Sequence, residues 1–174
     1  NSQVERCNEI LKRLTLNPVE EDEFIDKDIN IRDYLHEIIS SFKEISKKEF
    51  VFNFDQDSNP KKISKSIEIV YGLRNFIGNA NKFAKNSIFI NLKSDSEFTE
   101  LTIEDDGNGY PRDIISKIGE PYLKSNYSKD KSKEGLGLGL FIGKTLLEKN
   151  FASVNCRNSK TSNGAGVIIR GKNK

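Results

Sequence analysis

Apolar residues recur along this chain at two spacings, and the spacing divides it into helices and strands. Val4, Cys7, Leu11 and Leu14 lie three, four and three apart. That two-in-seven seam suits a bundle or coiled-coil helix over residues 1–14. Asn17-Pro18 ends it, because proline disfavours helix at the residue before it. Glu20 to Asp28 is acidic, broken only by Phe24, Ile25 and Lys27, and reads as a linker. The expected organisation is a bundle-helix end at 1–16, a linker at 17–28 and a globular domain at 29–174.

Within that domain Asp28 or Asn30 can cap a helix whose Ile31, Leu35, Ile38 and Phe42 form one stripe. Phe50 to Phe54 alternates as a strand, and Asp57-Ser58-Asn59-Pro60 turns the chain. Ile63 to Ala84 reads as a long helix with Leu73, Phe76, Ile77, Ala80 and Ala84 on its apolar face. Ser87–Leu92 and Phe98–Glu104 read as strands around the turn Lys93–Ser96. Pro111–Ile118 reads as a short helix, its proline suited to a first turn, and Gly119-Glu120-Pro121-Tyr122 breaks it. Ala152–Asn158 and Val167–Arg170 are expected as strands around the turn Ser162-Asn163-Gly164-Ala165-Gly166.

At 174 residues the chain can bury one domain core and carry an appendage. Its 28 Lys and Arg against 26 acids give a net charge of +2, which argues against a direct nucleic-acid binder. Two cysteines, Cys7 and Cys156, make no disulfide framework and favour a reducing cytosol. No apolar run reaches the roughly 18 residues of a membrane span, so any membrane portion is expected outside these residues. Asn1 is not a natural start, and the chain is expected to be a piece of a longer protein.

The chemistry collects in four places. Gly135-Leu136-Gly137-Leu138-Gly139-Leu140 alternates glycine with leucine just before a helical pattern from Phe141. Such glycines are costly inside a helix or strand but useful where backbone N–H groups must approach a phosphate at a helix N-terminus. A glycine-rich hairpin or linker is the plainer alternative. The run is neither a Walker loop nor a Rossmann turn. Lys124 to Glu134 ahead of it is polar and lysine-rich, either a disordered loop or a lid over phosphates. On the long helix, Asn75, Asn79 and Lys82 recur at i, i+4 and i+7, either a solvated face or a site. Asp105-Asp106-Gly107-Asn108-Gly109 presents a carboxylate at a strand end, unless Asp-Gly only makes a hairpin. His36, the only histidine, lies beside an apolar stripe and reads as structural.

The order of these pieces resembles the catalytic, ATP-binding domain of sensor histidine kinases, within the gyrase, Hsp90 and MutL ATPase superfamily. Asn75-Phe76-Ile77-Gly78-Asn79-Ala80-Asn81-Lys82-Phe83 resembles the family's N box. Asp105, Gly107 and Gly109 resemble its first glycine box, and Gly135, Gly137 and Gly139 its second. Gly164 and Gly166 stand where a third glycine box would lie, without its usual threonine. Tyr122 is the only candidate for the aromatic F box. Gly119-Glu120-Pro121-Tyr122, Gly72-Leu73-Arg74-Asn75 and Glu5-Arg6-Cys7 resemble the redox-responsive RegB/PrrB-type kinases in particular.

The resemblance implies an α/β sandwich of the Bergerat type. Its mixed, mostly antiparallel sheet would have about five strands, with three main helices on one face and ATP between helices and lid. It implies ATP and Mg²⁺ as cofactors, with Asp105 accepting from the adenine amine and Asn79 giving its amide oxygen to the metal. Lys82 would meet phosphate. Gly107, Gly109, Tyr122, Lys124, Gly135 to Leu140 and Gly166 would line the nucleotide. Asn75 stands where hydrolysing relatives place a glutamate, and an amide cannot activate water as a base. The γ-phosphoryl group would go instead to a histidine upstream, whose box occurs nowhere in this chain. The implied setting is cytoplasmic, in an inner-membrane-anchored parent that forms a homodimer through its bundle and serves a cognate response regulator. Cys7 would be the redox position, though a seam cysteine is also a common small hydrophobe. A superfamily ATPase, an anti-sigma-type serine kinase, or a module that binds without catalysis are the alternatives.

Overall fold

A computed structural model describes residues 28–55, 62–64, 67–111, 115 and 136–173. The residues expected as the helix carrying Cys7 and as the linker up to Lys27, together with Tyr122, Lys124 and Gly135, lie outside the described residues. In chain order the elements are β1 (Asp28–Asn30), α1 (Ile31–Lys43), β2 (Glu49–Phe54), β3 (Lys62–Ser64), α2 (Ile67–Phe83), β4 (Ser87–Ser94), β5 (Phe98–Asp105), α3 (Leu136–Lys149), β6 (Ala152–Asn158) and β7 (Ala165–Lys172).

The main sheet runs β2-β4-β5-β7-β6, and β1 pairs with β3 in a separate two-stranded ladder. β2 lies parallel to β4; every other neighbour in the sheet is antiparallel. Alternation sets the faces. Ile88, Ile90 and Leu92 of β4, Leu101 and Ile103 of β5, and Val167 and Ile169 of β7 all turn to the helices and are buried. Each such side chain removed from water stabilises the fold by about 1.5–3 kcal/mol. Ile31, Leu35, Ile38 and Ile39 of α1 and Leu73, Phe76 and Ile77 of α2 close the core from the other side. The sandwich of a five-stranded mixed sheet under three helices is the expected one.

Three local expectations are corrected. Ile63 and its neighbours form a strand, not the start of a helix, because pairing with Asp28–Asn30 satisfies their backbone groups. The long helix therefore begins at Ile67. Asn30 ends that ladder and caps α1, its side chain accepting from the Arg32 N–H at 2.9 Å.

The second correction concerns the glycine run, since Gly137 and Gly139 lie inside α3, which already starts at Leu136. Glycine costs about 0.8–1.0 kcal/mol against alanine there, and close packing against α2 offsets it. A Cβ on Gly143 would sit 2.9 Å from the Phe76 ring, and one on Gly72 would sit 2.8 Å from Leu147 Cγ. Third, Gly166 belongs to β7, opposite Glu104 and Arg157, rather than to a turn.

Candidate functional site

Between α2, α3 and the ends of β5 and β7 lies a cavity of about 170 Å³. Phe76, Asn79, Ala80 and Phe83 line it from α2, Ile103 and Asp105 from β5, Ala165 and Val167 from β7, and Leu140 from α3. Asn108, Gly109, Tyr110 and Pro111 close the remaining side. A site enclosing a whole drug-sized ligand measures ~300–1,000 Å³. This cavity thus matches one ring system, with the rest of a ligand lying beyond it.

Asp105 is the only carboxylate on the cavity wall among the described residues, and it is 3 % exposed. Two facts of the strand put it there. Residues 101, 103 and 105 share the core face of β5, so the last of them meets the pocket rather than solvent. Its Oδ1 then accepts from the Gly107 N–H at 2.8 Å and the Ala165 N–H at 3.3 Å. Burial pushes the carboxyl above its ordinary range, while those two N–H groups and the Lys48 charge pull the other way.

The loop after Asp105 can take only one path. A Cβ on Gly107 would lie 2.2 Å from the Phe83 carbonyl oxygen. Gly109 adopts φ +77°, a conformation that favours glycine. Asn158 then clamps the next residue from β6: the Tyr110 N–H donates to Asn158 Oδ1 at 2.6 Å, and Asn158 Nδ2 donates to the Tyr110 carbonyl at 3.0 Å. The buried Tyr110 hydroxyl donates to the Cys156 thiol, and burial pushes that thiol up to about 11. Cys156 is therefore held as a protonated, weakly nucleophilic thiol behind Tyr110.

The late turn is stitched to the same residue. Ser162 Oγ donates to the Asp105 carbonyl at 2.7 Å, and a Cβ on Gly164 would lie 1.9 Å from that oxygen. Just after the turn, the Ala165 N–H reaches the Asp105 carboxylate itself.

Asn79 reaches the cavity from α2, and its Nδ2 is buried without a hydrogen-bond partner among the described residues. Leaving such a group unpaired costs about 1–3 kcal/mol. Gly139 faces it: a Cβ there would come within 3.4 Å of Nδ2 and 3.5 Å of Oδ1, so glycine leaves the amide uncovered. Turning the amide presents its oxygen in place of its nitrogen. This is a group fitted to a hard cation carrying most of its own water and phosphate ligands.

The remaining expected residues divide. Leu140 is 1 % exposed and on the wall. Asn75 lies beside Gly139 but not on the wall, and its Nδ2 donates to the Tyr71 carbonyl of its own helix at 2.7 Å. The structure does not bring Lys82 to the cavity either; it is exposed, its ammonium 5.4 Å from the Phe83 ring centre. Sequence reasoning missed Phe76, Phe83, Tyr110 and Asn158 as site residues. The first two were counted as core or passed over, and nothing in the sequence ties Asn158 to Tyr110.

Residues 64–172 match the family described as histidine kinase-, DNA gyrase B- and HSP90-like ATPase. The chain belongs to that family. Among curated members of the histidine kinase-like family, it is 39 % identical over 97 residues to the sensor histidine kinase RegB of Cereibacter sphaeroides, covering 53 % of this chain and 21 % of RegB. It is 30 % identical over 100 residues to the sensor protein SrrB of Staphylococcus aureus, covering 56 % of this chain and 17 % of SrrB. It thus spans about a fifth of the length of these relatives. Among solved structures of the fold, the mycobacterial sensor histidine kinase MprB superposes with a TM-score of 0.69 at 19 % identity, covering 84 % of this chain and 97 % of that one. Full-length ShkA, solved in complex with AMPPNP, gives 0.68 at 19 % identity over 85 % of this chain and 31 % of its own.

Proposed function

We propose that this domain binds Mg·ATP and serves as the kinase portion of a two-component sensor, passing the γ-phosphoryl group to a histidine on a bundle helix. The observation that carries the reading is a cavity lined both by a buried carboxylate, Asp105, and by the Asn79 amide, whose Nδ2 has no hydrogen-bond partner among the described residues. A carboxylate held by two backbone N–H groups keeps lone pairs for a ligand donor, as the exocyclic amine of adenine requires. Guanine presents a carbonyl at that position and would be repelled.

Asn79 would hold the magnesium ion, which when bound neutralises phosphate charge and orients the transferring group. This chain's own residues do the rest. Phe76, Ile103, Leu140 and Val167 strip water from the base, and the Gly139 backbone lets phosphate pass close to α3. Asn75, bonded to Tyr71, supplies no base for water. Asp105, turned to the ring system, lies away from any attacking water. Phosphoryl transfer needs mainly positioning and charge stabilisation, and an amide-lined site supplies those without favouring hydrolysis.

Calorimetry tests the reading directly. ATP is expected to bind and GTP to bind far more weakly, with magnesium tightening ATP in the wild type. In Asn79→Ala the affinity should become indifferent to magnesium. GTP binding equal to ATP would remove the Asp105 assignment, and a mutant still tightened by magnesium would move the metal to another ligand. Lys82 and the residues Tyr122, Lys124 and Gly135 to Leu138 belong to the proposed phosphate side. A response regulator, a homodimer through the bundle and a membrane anchor elsewhere in the parent complete the proposal; no described helix is long and apolar enough to cross a membrane. Redox control through Cys7 is part of it as well. Mild oxidation should modify Cys7 while leaving Cys156 untouched, as mass spectrometry would register, and oxidation only at Cys156 would defeat it.

A further inference from the structure

The last carbonyls of a helix have no N–H of their own helix to accept from. At the end of α2 a side chain from elsewhere fills that role. Lys48, half-buried in the turn between α1 and β2, donates from Nζ to the Asn81 carbonyl and, at 3.4 Å, to the Lys82 carbonyl. Ser46 Oγ donates to Asn81 Oδ1 at 2.6 Å and accepts from the Lys48 N–H at 3.1 Å. An ammonium on those carbonyls also meets the negative end of the helix dipole.

That pinned end leads straight to the base acceptor. The Phe83 carbonyl fills the space a Gly107 side chain would need. Asp106 Oδ1 accepts from the Lys85 N–H at 2.8 Å and the Asn86 N–H at 3.0 Å, fastening the chain after α2 to the residue after Asp105. The Glu49 N–H donates to the Asn86 carbonyl at 2.9 Å, tying β2 to the same point. Asn79 stands half a turn before Asn81 on this helix.

We propose that Lys48 is a positioning residue of the nucleotide site: it caps α2 so that Asn79 and the Asp105–Gly109 loop keep one spacing. The proposal rests on the nucleotide reading above. Around Asp105 the other charged or titratable groups are Asp106 beside it, whose charge opposes ionisation, and Tyr110 with Cys156 of β6, both held neutral by burial. Glu104, on the opposite face of β5, is engaged by Arg157 at 3.7 Å and by Ser159. Among the described residues Lys48 is the cation whose charge favours the ionised form of Asp105, against the larger effect of burial.

The test uses metal-free adenosine on the intact chain, so that phosphate and magnesium contacts do not enter. Lys48→Met removes both cap and charge and should weaken adenosine about tenfold. Lys48→Gln and Lys48→Arg keep an N–H donor for the carbonyls and should bind nearly as the wild type does. If Lys48→Met fails to fold, Ser46→Ala, which removes the hydroxyl joining Asn81 Oδ1 to the Lys48 N–H, is read in its place and should also weaken adenosine. Unchanged affinity in the variant read would overturn the proposal, as would a loss in Lys48→Arg equal to that in Lys48→Met. A wild-type chain that binds neither adenosine nor ATP would remove the nucleotide reading, and this proposal with it.

Discussion

The carboxyl of Asp105 sits between the Gly107 and Ala165 amides with water excluded, and burial raises its pKa in the nucleotide-free protein. A raised folded-state pKa means this group favours the fold most when protonated. Its contribution is present at acid pH and is lost as pH rises through the raised value. A bound adenine amine works in the opposite direction, because donating to the carboxylate favours the charged form. Nucleotide binding should therefore release a proton near that pKa, and affinity should rise with pH across the same window. Asp105→Asn separates the two effects. At neutral pH it should leave the nucleotide-free protein as stable as the wild type or more so. ATP affinity should fall tenfold to a hundredfold, since losing a charged acceptor costs roughly 1.5–3 kcal/mol. Melting curves and calorimetry on one preparation read both, and a variant that loses stability while keeping affinity would contradict the account.

At the scale of elements, the site depends on two segments that meet at the Asp105 carbonyl. The turn before β7 folds over the end of β5, with Ser162 on the Asp105 carbonyl and the Ser159 N–H donating to the Gly164 carbonyl at 2.7 Å. Gly164→Ala would place a methyl group against Asp105 backbone that cannot move aside as a side chain can. It should destabilise the fold by roughly 1–3 kcal/mol or more and pull the Ala165 N–H away from the carboxylate, weakening ATP as well. Gly171→Ala in β7, the strand that follows, meets nothing within 4 Å and is the control. Thermal melts of the two should separate clearly; equal melting temperatures would mean that the turn relaxes freely. The crossing of α2 and α3 is built in the same way, through Gly72 and Gly143, so that α3 brings Leu140 onto the cavity and Gly139 onto Asn79.

For the whole molecule, the one histidine is the deciding residue. His36 is exposed on α1, its ring edge-on to Phe52 at 4.8 Å, and it is not on the wall of the cavity that holds Asp105. Incubation of this chain with γ-labelled ATP should therefore leave no acid-labile label, although ATP binds. A separate bundle helix carrying the phosphoacceptor histidine should restore transfer. Label mapped to His36 would overturn the division of labour between the two helices.

Much of this architecture was legible in the sequence because it follows from local periodicity. The alternation in β4 and β5 and the stripe Leu73, Phe76, Ile77, Ala80 and Ala84 each record which face is buried, and burial dominates the energetics of both kinds of element. Asn79 and Asp105 were legible for a related reason, being polar residues on faces or ends that otherwise have no cause to carry them. The strand at Ile63 was not, because its partner Asp28–Asn30 is remote in sequence and three residues have no period. The helical glycines were not, because propensity counts their cost while the compensating approach of α2 exists only after folding. Lys48 and Asn158 bind carbonyls and amides that any residue would offer, so nothing about their side chains marks their partners. Local pattern is set by each segment's own neighbours; a cap, a clamp or a close crossing is set by whatever backbone the fold brings opposite, and that only the tertiary structure decided.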